Sequence, residues 1–413
     1  MAPKSTPRAV IHLEGTTLEG GGQLVRIALG LSSLTKKPIN ITNIRGKRSG
    51  GGGLKAQHLT SVQWLGQACN AGLSGVGLKS KEITFTPKQD EQGKTFNVEE
   101  QGGQVRITQS TPGSINLIFQ AILPYILFSG TASPICVRIV GGTNVSNSPS
   151  YEYIHEVLVP MLALIGVPPI EAEVHSRGWS QGSTSLGNIT YTIQPLQTKL
   201  PAFQLEQRGS ITHVKAIIIA PRDMEQSFRG ELDVMFEKRE SRFFGANTTA
   251  GDFDITFEDS HHEKRYYLLL VATTSTGIKL GRDWLYNQAI RPGKTERIVP
   301  TMVKKVLDDI LAEIEHGGCV DEYMRDQLVI FQALADGKSH VSSGRRGDEL
   351  VHPSLHAKTA MWVAKEIIGV NFDEEGGCKG VGFRPGGQAK EEEKEADLED
   401  LASDLKVLDV SSS

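Results

Sequence analysis

Cysteine is scarce: four in 413 residues, at positions 69, 136, 319 and 378, with no CxxC pair among them. That spacing disfavours both a disulfide framework and a structural zinc site, and leaves isolated small core residues as the simpler reading. Long apolar runs are missing as well. No segment approaches the roughly eighteen apolar residues that span a bilayer, and the opening MAPKSTPRAVIHLEG holds no run long enough for a signal peptide. A soluble, intracellular protein is expected. Nor is there a large excess of either charge, since the net value is −4. The balance is uneven, however. From Lys390 onward nine acidic residues face three basic ones, so the rest of the chain is about +2. Residues 1–60 carry nine Lys or Arg against only Glu14 and Glu19. Such a surplus suits an anionic partner, or else simply solvates a basic face.

What is present is an ordinary globular composition, 38% hydrophobic and 22% charged, enough for one large domain with an insertion or for two or three domains. AVIHLEG reads as a strand, and after Gly20-Gly21-Gly22 the residues Leu24, Ile27, Leu31 and Leu34 recur at helical spacing. INITNIRG, the helix AQHLTSVQWLGQACNAG and the strand EITFTP complete a first cycle. A similar cycle follows: QVRITQS, a helix from about Ser114 to Phe128, ICVRIVGG, and a helix carrying Ile154, Val157, Met161 and Ile165. A third is suggested by helices around Val303 to His316, in EYMRDQLVIFQALADG and after Pro353. The fold class is α+β, built from a repeated unit of two helices and several strands. Between about 196 and 290 the strand-rich stretches HVKAIIIA, FDITFED and YYLLLVATTS surround one helix-like run, which predicts a smaller inserted α+β domain. The large domain then comprises 1–195 and 291–372, and the acidic tail 386–413 is expected to be disordered.

LEGGGQLVR joins Glu19, three glycines, Gln23 and Arg26 where a strand gives way to a helix. It is neither a Gly-Lys-Ser/Thr phosphate loop nor a GxGxxG fingerprint. Glycine lets backbone N–H groups approach an anion, the helix N-terminus adds a positive dipole, Arg26 could fork onto phosphate oxygens, and Glu19 could hold a divalent ion. A structural turn satisfies the stretch equally well. IRGKRSGGGGLKAQH adds Arg45, Lys47, Arg48 and Lys55 around four glycines, followed by Gln57 and His58 at a helix start. Planar guanidinium groups suit the oxygens of a terminal phosphate, and the alternative is a surface linker. In VDEYMRDQL, residues Tyr323, Asp326 and Gln327 share one helix face on which a nucleotide could dock. Asp321 and Glu322 at the start of that helix favour its dipole and need no further role.

In VHPSLHAKTA, Ser354 is a good helix cap and places His356 in the first turn. The positive end of a helix disfavours imidazolium, so His356 should stay neutral and keep a lone pair for attack on phosphorus. His352, extended before Pro353, is read as supporting or structural.

As an ordered set, LEGGGQLVR, IRGKR…GGGLKAQHLT, GGTN with SPSYEYI, VDEYMRDQL and HPSLHAKTA resemble the RNA 3′-terminal phosphate cyclases, across most of residues 9 to 370. The resemblance implies repeated βαβαββ units akin to the enolpyruvyl transferases. It also implies an ATP-dependent conversion of an RNA 3′-phosphate to a 2′,3′-cyclic phosphate. His356 would be the nucleophile. Tyr323, Asp326, Gln327 and Pro149 would form the nucleotide pocket. Arg26, Arg45, Arg48, Gln57 and His58 would grip phosphate and the RNA end, and Glu19 would contact Mg or Mn. The partners implied are ATP and RNA 3′ ends, and the place of action the nucleus or cytoplasm, with no membrane association.

Four stretches depart from the family pattern: the four-glycine loop after Arg48, RGWSQGSTSLG, TGIKLGRDWLYNQA, and SSGRRGDELV, whose Arg345 and Arg346 are candidates for RNA contact. Three other readings compete: a non-catalytic cyclase-like scaffold in ribosomal RNA processing, an enolpyruvyl transferase, and an RNA-binding module without turnover. Retention of His356 argues against the scaffold. The ordered Arg, Gln-His and Asp-Gln motifs argue against the transferase, and labelling from ATP would separate an enzyme from the binding module.

Overall fold

The computed structural model describes residues 9–48, 50–88, 104–245, 251–289 and 295–387. The stretch of the acidic tail from 388 onward therefore lies outside the described residues.

The first sheet takes strands β1 (Ile11–Glu14), β2 (Ile39–Thr42), β3 (Gly72–Ser74) and β4 (Ile83–Thr86) in the order β1-β2-β4-β3. Only β1 and β2 run parallel. Ile39, Ile41, Ile83 and Phe85 are fully buried against the helices α1 (Gly22–Thr35) and α2 (Ala56–Ala68). The alternation of these strands puts one face on the core and leaves the other polar.

The second sheet repeats the first. Strands β5 (Gln104–Thr108), β6 (Ile135–Gly141), β7 (Ile170–Ser176) and β8 (Gly187–Ile193) lie in the order β5-β6-β8-β7, again with one parallel pair and two antiparallel ones. Its helices are α3 (Ile115–Leu127), capped by Ser114 Oγ, and a longer one made of α4 (Tyr151–Tyr153), a π-helical turn (Ile154–Leu158) and α5 (Val159–Leu164). The π turn is closed by the amide of Val159 donating to the carbonyl of Ile154. The repetition read from hydrophobic period is thus present in strand order and direction.

Strand β9 (Gln204–Leu205) starts a third, smaller sheet that is completed only after the inserted segment. The inserted sheet holds β10 (Ile211–Ala220), β11 (Asp252–Asp259), β12 (Tyr267–Thr274) and β13 (Lys279–Leu285) in the order β11-β10-β12-β13, with helices α6 (Glu225–Glu237) and α7 (Glu240–Phe244). Helix α8 (Ile298–Glu315), grouped by its position in the chain with the third cycle, packs instead on β12, β13 and α6. Its apolar stripe of Met302, Val306, Leu307 and Ile310 is fully buried there. The third sheet then closes with α9 (Glu322–Leu334), β14 (Lys338–Val341), the short hairpin β15 (Arg345–Arg346) and β16 (Glu349–Leu350), α10 (Leu355–Ile368) and β17 (Gly377–Lys379), in the order β17-β14-β9.

Helix α10 lies against both α1 and α9, and α1 against α3. The N-terminal parts of α1, α9 and α10 meet at one place, where Arg26, Tyr323 and His356 line a single cavity. Three of the four cysteines are buried and Cys136 is partly so. No helix among the described residues is long and apolar enough to cross a membrane.

Candidate active site

The site begins at the turn before α1. Thr17 donates its amide to the Glu14 carbonyl and Gly20 to that of Thr17, folding the chain back so that Glu19 points inward with 4% of its side chain exposed. The glycines after it are needed for space. A Cβ on Gly21 would lie 2.0 Å from Glu19 Oε1, and one on Gly22 would lie 2.5 Å from His58 Nε2. No side chain caps α1, so its first amides stay available to an anion, in keeping with the glycine-rich sequence.

Three elements meet on Glu19. Arg48 forms an ion pair with Glu19 Oε1, and His356 Nε2 stands 3.9 Å from the same oxygen. The Glu19 amide donates to Thr359 Oγ1 at 3.1 Å, one turn beyond His356 on α10. Ser354 Oγ accepts from the Ala357 amide at 3.2 Å, the cap expected there, and starts α10 so that His356 faces the turn. Burial, then Arg26 and Arg48, hold the His356 imidazole below its usual range, although Glu322 opposes them. The helix end predicts a neutral ring; the direction agrees, and burial and the two guanidinium groups account for it. Its side chain is 46% exposed, so the ring remains open to a reactant.

Arg45, Gln57 and His58 gather on the Glu19 side. His58 is buried, its Nδ1 accepts the Lys55 amide at 3.2 Å, and burial followed by Arg26, Arg45 and Lys55 pushes it down to about 3. It is therefore a neutral ring, and Nε2 carries the proton and points toward Gly22. Arg45 adopts a left-handed backbone at φ 55° and donates to the Gly53 carbonyl at 3.1 Å. Gln57 is half-buried, with Oε1 toward Gly113.

Beside this cluster opens a cavity of about 370 Å³. Arg26, Pro149, Tyr323, Asp326, Gln327 and His356 all line it, whereas Glu19, Arg45, Arg48, Gln57 and His58 do not. The residues singled out from sequence thus fall into two adjoining groups joined through His356 and Arg26. Burial pushes the Asp326 carboxyl up to about 7 against the pull of Arg26, and lowers Arg26 to about 10 against the pull of Asp326. Gln327 donates to Asp326, and Arg26 to the amide oxygen of Gln23.

Sequence reasoning missed the far wall. Tyr267, Asp283, Trp284, Leu285 and Asn287 come from the inserted sheet and its exit, and Gln120, Asn144 and Tyr153 from the second unit. The motifs GGTN and SPSYEYI contain Asn144 and Tyr153, although only Pro149 is singled out from them, and TGIKLGRDWLYNQA contains Asp283, Trp284, Leu285 and Asn287. Asp283 Oδ2 accepts from Ser150 Oγ at 3.1 Å and from Tyr267 O–H at 2.9 Å. Asp321 caps α9 as its place in the sequence predicts, accepting from the Met324 amide at 2.8 Å, but it also accepts from Tyr153 O–H at 2.7 Å and the Gly281 amide at 2.8 Å. His352 is exposed and does not line the cavity, and Arg345 and Arg346 are exposed on their hairpin.

Burial drives Asp283 up to about 6. A carboxyl raised on folding binds protons more readily in the folded state, so its stabilising contribution is lost as pH rises through about 6. Asp283→Asn should therefore flatten the pH dependence of stability. The change in melting temperature between pH 5 and pH 8 is expected to shrink by on the order of 2 °C. An unaltered pH profile in thermal melts would refute this.

Among the described residues no three His, Cys, Asp or Glu side chains converge on one point. Glu19 is the exception in kind: both of its carboxylate oxygens are buried and, the pairing with Arg48 apart, accept no hydrogen bond. Such a donor fits a divalent ion that draws its remaining ligands from phosphate oxygens and water.

Comparison with known proteins places this geometry in context. A family model described as RNA 3′-terminal phosphate cyclase matches residues 17–373. A protein of that name from Staphylothermus marinus is 32% identical over 386 residues, covering 91% of this chain and 99% of its own. One from Drosophila melanogaster is 30% identical over 90% of this chain and 97% of its own, and one from Desulfurococcus amylolyticus is 30% identical over 91% and 100%.

Proposed function

Since the chain belongs to the RNA 3′-terminal phosphate cyclase family, we propose that it converts an RNA 3′-terminal phosphate to a 2′,3′-cyclic phosphate with ATP, using His356 as nucleophile. The observation that carries this reading is the position of His356: a neutral, half-exposed imidazole on the wall of a nucleotide-sized cavity, next to a cluster of arginines.

The chemistry runs in three balanced steps. The lone pair of His356 Nε2 attacks the α-phosphorus of ATP and pyrophosphate leaves. An oxygen of the RNA 3′-phosphate then attacks the same phosphorus, the P–N bond breaks, and AMP passes to the RNA end. Finally the neighbouring 2′-oxygen attacks the 3′-phosphorus, losing its proton, and AMP departs. A 3′-phosphate is a poor electrophile until AMP becomes its leaving group, which is what the covalent stage supplies.

The chain's own residues have distinct tasks. Tyr323 and Pro149 would flank the base, and Asp326 with Gln327 would hold polar atoms of the nucleoside. Arg26 and the free amides of α1 would take the triphosphate. Arg45, Arg48, Gln57 and His58 would seat the RNA terminal phosphate, His58 as a neutral donor. A divalent ion, when bound, supplies positive charge to the phosphates, and Glu19 is the residue that would hold it. Family membership also points to action in the nucleus or cytoplasm.

Conversion of a 3′-phosphorylated oligoribonucleotide to the cyclic product by purified protein, with and without ATP, tests the reading. ATP-independent product, or none, would defeat it. The exposed hairpin carries a further expectation. Replacing Arg345 and Arg346 together with Ala should weaken RNA binding and reduce the slope of log K against log salt by up to about two, roughly one for each phosphate that an arginine no longer neutralises. An identical slope would remove the hairpin from the RNA path.

A further inference from the structure

Arg282 does not line the cavity, yet everything around it bears on the residue that would carry the base. It lies on β13 of the inserted sheet, with a side chain 14% exposed, and pairs with two carboxylates from different elements. One is Glu313 on α8, itself only 7% exposed; the other is Glu322 on α9, at 2.9 Å. Glu313 is held in turn by His316 Nε2 at 2.8 Å. A single nitrogen, Nη2, meets both carboxylates, and the guanidinium sits over the ring of Tyr323, 4.5 Å from the centroid.

Tyr323 needs such support. It stands in the first turn of α9, 41% exposed, where two soft torsions would otherwise let the ring swing. The Tyr153 ring packs against it in a T-shaped pair, 5.8 Å between centroids and 78° between planes, and Arg282 lies over the ring. A ring braced by both neighbours meets a ligand without paying to order it on binding. The backbone on either side of Arg282 is fixed as well: the Gly281 amide donates to Asp321 at 2.8 Å, and Asp283 accepts from Ser150 and Tyr267.

We infer that Arg282 is a positioning residue for nucleotide binding: clamped by Glu313 and Glu322, it fixes the Tyr323 ring as a base platform and so makes the inserted sheet part of the ATP site. This rests on the ATP-dependent reading above. Lysine would not substitute, because a point ammonium that met the two carboxylates would have no delocalised plane left to lie over the ring.

The test is a double-mutant cycle in the full chain, with ATP affinity measured by calorimetry and His356 labelling measured in single turnover at saturating ATP. Arg282→Met should raise the ATP dissociation constant about tenfold, within the range of a desolvated cation–π contact. The labelling rate at saturation should stay within about twofold. Arg282→Lys should resemble Arg282→Met rather than wild type. In a Tyr323→Leu background, Arg282→Met should cost little more, since the ring it serves is gone. An unchanged dissociation constant overturns the inference, and so does the full loss persisting without the Tyr323 ring. If Arg282→Met alone does not fold because Glu313 is left unpaired, Arg282→Met with Glu313→Gln gives the same readings. Wild type that binds no ATP defeats the functional reading itself, an outcome visible before any variant is compared.

Discussion

His356→Ala should carry no covalent AMP after incubation with ATP labelled at the α-phosphate and a divalent metal, while wild type does. The bond in wild type should break in acid, as a phosphoramidate does. Turnover to the cyclic RNA end should fall by at least about a thousandfold, as expected when a nucleophile is deleted rather than a supporting group. ATP affinity should change far less, since Tyr323, Asp326 and Gln327 line the cavity from α9 independently of α10. The pH dependence follows from the lowered imidazole. The reactive form is the neutral ring, so the labelling rate should hold steady as pH falls through the ordinary imidazole range near 6.5 and decline only below it. A labelling rate that halves at pH 6.5 or above would contradict the environment described for this ring. Label retained in the Ala variant would move the nucleophile elsewhere.

Arg26 is expected to give the second largest effect. It lines the cavity together with His356 and Asp326, and burial already lowers it to about 10. Arg26→Met removes the donors proposed to take the triphosphate and leaves Asp326 without the cation that holds its pKa down. Loss of a preorganised donor of this kind costs about 10²–10³ in rate. Arg26→Lys keeps the charge without the fork, and should recover a minor part of it. Single-turnover labelling at saturating ATP separates this from weakened binding. A variant restored to wild-type rate merely by raising ATP would show that Arg26 acts on affinity alone.

How much the sequence reveals differs from element to element. Leu24, Ile27, Leu31 and Leu34 announce α1 by their spacing, and all four are buried. The turn at Glu19 is legible for a local reason: three glycines in a row mark a place where side chains would crowd, and the Lys47 side chain, the Glu19 carboxylate and the His58 ring are what they would meet. Tyr323, Asp326 and Gln327 follow from helical geometry over five residues. The far wall of the cavity is not legible. Ser150, Tyr267 and Asp283 meet across 117 and 133 positions of chain, and no periodicity within one strand says which distant strand end it will face. Helix α8 shows the same limit. Its stripe of apolar residues announces a buried face without naming the sheet that buries it, and position in the chain suggests the third unit rather than β12 and β13. Asp321 is recognisable as a favourable helix start and is one. Its further bonds to Tyr153 and Gly281 depend on the same long-range assembly.

The π turn at Ile154–Leu158 gives the second unit an unusual numerical constraint. A turn closed between residues five apart holds one residue more than its α-helical neighbours. Upstream of it, Tyr153 reaches the cavity and Asp321; within and downstream of it, Val157 packs beside Gly281 and Met161 Sδ accepts the Lys279 amide at 3.2 Å. Removing the extra residue would leave each half on its own face, whereas closing this turn as an ordinary α-helical one without removing a residue would rotate the two halves against each other by about 100°. Either the cavity would lose its tyrosine or β13 would lose its support. The wide turn is therefore what lets one helix carry Tyr153 toward the cavity and Val157 and Met161 toward β13 at this spacing.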